Sequence, residues 1–274
     1  MALLDILGQS RKLRQLPRLP SADERTKTIL AETAGEVLRL RDRLEGCFEQ
    51  FRRETGLLKD LPKEMQERLR AAKQSVRYRY FSDLIIMEIS FWGDAEQLAP
   101  MAGVYSCIGA CSALHTVALA SKNPLRGGIS VGAGLDLTDD EIYGPVSAEV
   151  HDIESVLADY PRIVVGEELL KYLSQIESTA SPTQGARVAQ KLAARCKRMI
   201  TVDSDGFPML DFLGDEIAQW TPDPLVRQEL LDRINEYISE QKQIARAEHN
   251  YKHLSRYFRL GSYVEKRSAL WKSS

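Results

Sequence analysis

The sequence predicts an α+β fold built on a βαββαβ core, with further helices added after it. Three observations lead there. Short runs of β-branched and aromatic residues alternate with longer stretches whose apolar residues recur at helical spacing. The first six of these run strand, helix, strand, strand, helix, strand, the ferredoxin-like order. From Asp223 onward the pattern is helical in two segments.

Residues 2–7, ALLDIL, read as a short buried strand. PRLPSADE follows as a proline-marked loop, with Ser21 and Glu24 spaced as an N-cap pair. From about 22 to 53, Ile29, Leu30, Val37, Leu38, Leu40, Leu44, Phe48 and Phe51 recur at helical spacing. LPKEMQERLRAAKQ is a second, short helix. SVRYRYF and LIIMEISFW are strands separated by Ser82 and Asp83, a hairpin with Asp83 at its turn. Residues 95–121 form an apolar helix, and PLRGGISVGAGLDL is a strand that ends in a glycine-rich turn. EIYGPVSAEVHDIESVLADY opens as a turn and becomes a helix, with Pro145 suited to its first turn. RIVVG is a strand and EELLKYLSQI a helix. After the polar loop ESTASPTQG come a helix and two strands around an Asp-Gly turn, then the two C-terminal helices. The division expected is a core over 1–176 and, over 177–274, completing strands with a helical extension packed on the core or on a dimer interface.

Composition sets limits. The chain has 274 residues, 43% hydrophobic and 28% charged, an ordinary globular profile, with a net charge of −2. No global basic field draws it to DNA or RNA. Cys47, Cys107, Cys111 and Cys196 lack zinc spacing and read as free thiols. No run reads as apolar enough to span a bilayer, and the N-terminus lacks the form of a signal peptide, so a cytoplasmic protein without membrane insertion is expected.

Two carboxylates interrupt apolar runs, Asp5 in the first strand and Asp83 at the hairpin. In the βαββαβ order the first and third strands are neighbours, which brings the two together. Paired carboxylates repel and are costly to bury ionised, and a divalent cation such as Mg²⁺ or Mn²⁺ cancels both penalties. The bland alternative is that Asp5 ends a strand and Asp83 serves a turn. RGGISVGAG lacks a Walker ending and a helix at its glycines, so close backbone approach is its simpler reading. His115 reads as a core histidine, and His249 with His253, taken as an i,i+4 pair on a helix, as surface residues. Ser21, Ser82 and Ser147 have no triad partners.

LLDILG, YFSDLII, RGGISVG, IYGPVSAEVHDIES and YPRIVV occur in the order seen in class III nucleotidyl cyclases. The set most resembles the bacterial pyrimidine cyclases of Pycsar anti-phage defence, as do DSDGFPMLDFL and EHNYKHLSRYF further on. The resemblance implies a class III cyclase core and a head-to-tail homodimer with active sites at its interface. It implies two Mg²⁺ or Mn²⁺ ions held by Asp5, Asp83 and the Ile6 carbonyl. It also implies a triphosphate bound by backbone N–H groups around Gly8. Cyclisation of UTP, with CTP less favoured, would give a 3′,5′-cyclic monophosphate and pyrophosphate, the product acting on a cyclic-nucleotide-responsive effector. By alignment Arg79 and Glu141 take the base-reading positions, with Tyr78 or Tyr80 filling the space of a purine. Arg79 as a plain outward strand residue is the alternative. The expected Asn and Arg of the following helix are Ala148 and Asp152 here, and the aromatic after DILG is Gln9. Either the transition-state cation comes from elsewhere, with Arg126 or the cluster Arg195, Lys197 and Arg198 as candidates, or the site is inactive. A purine cyclase and a catalytically silent cyclase-like module are the other readings.

Overall fold

A computed structural model describes residues 1–9, 13, 16, 23–53, 61–64, 66–67, 76–91, 98–138, 141–180 and 183–272. Strand β1 (Ala2–Ile6) is followed by helix α1 (Glu24–Arg53), the hairpin β2 (Val76–Phe81) and β3 (Leu84–Ile89), helix α2 (Leu98–Ala120) and β4 (Leu125–Ile129). A small hairpin, β5 (Leu135–Thr138) and β6 (Glu141–Tyr143), leads into α3 (Pro145–Asp152). Then come β7 (Ile163–Val165), α4 (Glu167–Ser178), α5 (Gln184–Arg198), β8 (Ile200–Val202), β9 (Pro208–Leu210) and α6 (Asp215–Trp220). Two long helices close the chain, α7 (Pro224–Ala247) and α8 (Tyr251–Lys272).

The fold is α+β. One mostly antiparallel sheet carries seven strands in the order β2-β3-β1-β4-β7-β9-β8. Strand β1 is central and antiparallel to both β3 and β4. The first and third strands are thus neighbours, as the element order required. Among the described residues only β4 and β7 run parallel. The strands after residue 177 join the same sheet, beyond β7.

Alternation along β1 divides the sheet into two unlike faces. Ala2, Leu4 and Ile6 point into the main core with Ile85, Met87 and Ile129. Leu3 lies on the other face with Val146 and Val150 of α3. Helix α2 is apolar on all sides and packs against α1, α5, α7 and strands β3 and β4. It is long and apolar enough to cross a bilayer, which corrects the expectation that no run is. Of that span 89% is buried inside the fold. The C-terminal helices pack on the core. Tyr263 donates to Asp211, Arg267 pairs with the same carboxylate, and the Trp271 indole donates to the Leu213 carbonyl at 2.9 Å.

Several local expectations shift. Ser21 lies outside the described residues, and Asp23 caps α1 by accepting from the Thr26 amide at 2.9 Å. Most of LPKEMQERLRAAKQ also lies outside them. EIY is a strand paired with β5 rather than a turn. His249 is not helical: it sits between α7 and α8 with φ 51, because α7 ends at Ala247. His253 contacts Gln241 instead. The four cysteines are free, all buried except the half-buried Cys47.

His115 is 1% exposed, with its ring 4.4 Å from that of Phe212. Burial lowers its pKa to about 3 from the ordinary value of 6.5. The neutral form is therefore the folded form. Its contribution to stability is complete above pH 6.5 and is lost as pH falls from there toward 3. Between those limits the slope is about 1.4 kcal/mol per pH unit. Denaturant melts from pH 6.5 to 4 should show a shallower stability slope for His115→Leu than for the wild type, and equal slopes would contradict this assignment.

Candidate functional site

The open face of the sheet carries the predicted residues, and its register sets their positions. Asp5 pairs with Leu84 on one side and Arg126 on the other. One step further along, Leu3 lies between Ile86 and Gly128, with Arg79 beyond Ile86 on β2. Asp83 occupies the β2–β3 turn, where Ser82 takes a φ of 55. The Ile6 amide donates to the Asp83 carbonyl at 3.1 Å and closes the strand ends on each other. Helix α1 steadies the turn: Arg41 donates to the Ser82 carbonyl at 2.7 Å and lies over the Tyr80 ring.

Asp5 and Arg126 are therefore brought together at one end of the open face, 121 residues apart in sequence, and the Asp83 turn closes on the same strand end through its backbone. Arg126 Nε donates to Asp5 Oδ2 at 2.9 Å. Burial raises the Asp5 pKa against the pull of Arg126, and repulsion from Asp83 adds to the rise. Asp83 is thus close enough to act on Asp5 as a like charge, an effect that a cation relieves. Gly8 follows at once, exposed and with φ +92, a backbone that favours glycine. Gln9 is buried and donates to Glu36.

A fourth group belongs to this cluster and was not singled out from the sequence. Glu154 is 4% exposed, and its Oε1 lies 2.6 Å from Arg126 Nε. Burial raises its pKa, Arg126 opposes the rise, and Asp5 adds to it. It reaches this position because α3 ends in a π-helical turn, Ile153–Leu157, closed by the Ala158 amide on the Ile153 carbonyl at 2.8 Å. Such turns are rare and concentrate at functional sites. The turn lies directly on β4, where a Cβ on Gly128 would stand 2.6 Å from the Val150 carbonyl and 2.9 Å from the Ile153 side chain. The visible signal was a Glu within HDIES, but its orientation depends on a helical irregularity that periodicity does not reveal.

Arg79 lies on the same face, about 12 Å from Asp5 by strand spacing and rise. It is 6% exposed; its Nη2 donates to Glu88 at 3.1 Å and to Asp136, and its Nη1 to the Thr138 carbonyl. Glu141 is exposed and pairs with Thr138, so the β5–β6 hairpin brings it near Arg79. Tyr78 is not brought to this face. Alternation along β2 turns it into the helical side, where it packs edge-on to Phe48 and stacks with Tyr80. The other candidate cations are engaged elsewhere, Arg195 and Arg198 with Glu216 and Lys197 with Glu177. Ala148 and Asp152 lie on the exposed side of α3.

At the opposite end of the open face is a cleft of about 520 Å³. Arg77, Glu88, Asp136, Gly132 and Val146 line it. It lies about 13 Å from Asp5, four strand residues away. The chemistry of the two ends differs. One offers paired carboxylates and a guanidinium, the other a concave, mixed surface of the kind that receives small molecules.

The donor set at the Asp5 end fits a hard cation: two carboxylates and a neighbouring carbonyl, all oxygen. Among the described residues no cluster of three or more His, Cys, Asp or Glu side chains forms a metal cage. A cation there would need further oxygens, such as those of a phosphate ligand. No protein-family model, no curated protein and no solved structure matches the chain.

Since α3 rests on Gly128 without room for a methyl, Gly128→Ala should cost about 1–3 kcal/mol. Denaturant unfolding measures this, and a neutral substitution would show that the contact is not tight.

Proposed function

We propose that this chain is a class III-type nucleotide cyclase acting on a pyrimidine nucleoside triphosphate, UTP in preference to CTP. The observation that carries the reading is the convergence of Asp5 and Asp83 at neighbouring strand ends, with Arg126 beside them. The strand order β2-β3-β1-β4 is that of the ferredoxin-like core such enzymes use. Asp5, Asp83 and the Ile6 carbonyl are the groups that would hold two Mg²⁺ or Mn²⁺ ions. Bound there, the ions supply charge neutralisation and a lowered pKa for the attacking hydroxyl.

The remaining work falls to the chain itself. The amides around Gly8 receive phosphate oxygens in the manner of a helix N-terminus. Arg126 is the cation nearest the paired carboxylates and serves the charge that develops on the phosphates. In the reaction the 3′-hydroxyl oxygen bonds to the α-phosphorus as the bond to pyrophosphate breaks, and positioning accounts for much of the rate. A head-to-tail homodimer would set the cleft of one copy against the carboxylates of the other. Phe81, at 75% exposure, with Tyr143 and Leu135, offers apolar surface for that contact. The cyclic product would act on a responsive effector in anti-phage defence.

Two placements favour a second reading, a cyclase-like module that binds or dimerises without catalysis. Arg126 stands on Asp5, and Arg79 is engaged by Glu88 and Asp136, so base reading by Arg79 requires that pairing to open. The same experiment separates the readings. Purified protein is incubated with Mn²⁺ and each of the four ribonucleoside triphosphates, and the products are resolved by chromatography. The proposal expects one cyclic pyrimidine product, reduced at least about 100-fold by Asp5→Asn or Asp83→Asn with the fold retained. Cyclic AMP or GMP would instead mark a purine cyclase, and no product with any substrate would mark the silent module.

A further inference from the structure

We infer that Glu154 is a positioning residue that keeps Arg126 at the site when a divalent cation takes Asp5. The inference rests on the metal reading above. Arg126 Nε stands between two carboxylates: it donates to Asp5 at 2.9 Å and forms an ion pair with Glu154 Oε1 at 2.6 Å. Held by Asp5 alone, the guanidinium would compete with a cation for the same oxygen. A second carboxylate changes the exchange: Asp5 turns to the cation while Arg126 stays on Glu154, its other N–H groups directed at phosphate.

Glu154 suits that task because it cannot follow the guanidinium elsewhere. It is buried, it is carried on a π-helical turn, and that turn is seated on the bare backbone of Gly128. Asp5 is half-buried, at the end of its strand beside an exposed glycine. The two carboxylates thus differ as the exchange requires, one fixed and one able to accept a new partner. A purely neutralising role for Glu154 predicts that its charge matters to a cation whether or not Arg126 is present. The positioning role predicts that it matters through Arg126.

Mn²⁺ binding by the full chain, read by electron paramagnetic resonance with UTP present, separates these. The set is wild type, E154Q, R126A and the double variant, each checked by circular dichroism. E154Q should weaken Mn²⁺ binding about tenfold, the equivalent of one pK unit of interaction. In the R126A background the same change should matter less than about twofold. There, Glu154 has no guanidinium left to hold, and its replacement leaves the cation's access to Asp5 as it was. Equal weakening in both backgrounds, or none in the wild type, overturns the role of Glu154 and leaves the metal site standing. Absence of Mn²⁺ binding by the wild type overturns the metal reading and this inference with it. Should E154Q fail to fold, E154D takes its place in the cycle, with weakening expected only when Arg126 is present.

Discussion

The register of β1 between β3 and β4 is the constraint on which the rest of the molecule turns. It is hydrogen-bonded on both sides, so its alternation is locked twice. Leu4 and Ile6 enter the helical core, and Asp5 faces outward between Leu84 and Arg126. A slip of one residue would send Asp5 into the core and Leu4 onto the open face. The cost of that exchange, an ionised carboxylate among aliphatic side chains, fixes the register. The outward position of Asp5 thus follows from ordinary strand packing, while Asp83 is held by the β2–β3 turn and its contact with Arg41.

The two faces of the sheet then divide the labour. The helical face carries the stability, with α2 surrounded by α1, α5, α7 and the strands. The open face carries the charge: Asp5, Arg126, Glu154, Arg79, Glu88 and Asp136. Buried ion pairs of this kind add little net stability, because desolvation offsets attraction. Their net effect on folding is therefore small. Elsewhere a buried network has a plainer role. Arg162 lies between Asp203 and Asp205 and ties β7 to the turn between β8 and β9.

Much of this was legible in the sequence, for identifiable reasons. Strand and helix order follows from periodicity, and the order alone makes β1 and β3 neighbours, so Asp5 and Asp83 could be paired without coordinates. Tyr78 and Arg79 are adjacent in a strand, and alternation already places them on opposite faces. Assigning both to one ligand overlooked that rule. Glu154 was less accessible, since an ideal helix does not predict a π-helical turn. The engagement of Arg79 by Asp136 depends on how the β5–β6 hairpin folds back, a tertiary fact. Helix α2 has the length of a membrane span, and only its packing among other elements reveals a core helix.

The central claim is that Asp5 and Asp83 share a site for cations and phosphate. A crystal of the chain with Mn²⁺ and a non-cyclisable UTP analogue, examined by anomalous scattering, tests it most directly. The account predicts two peaks within about 4 Å of each other beside these carboxylates, with Arg126 moved off Asp5 and onto the analogue. A fully occupied analogue with no metal peak there, and Arg126 still on Asp5, would contradict it.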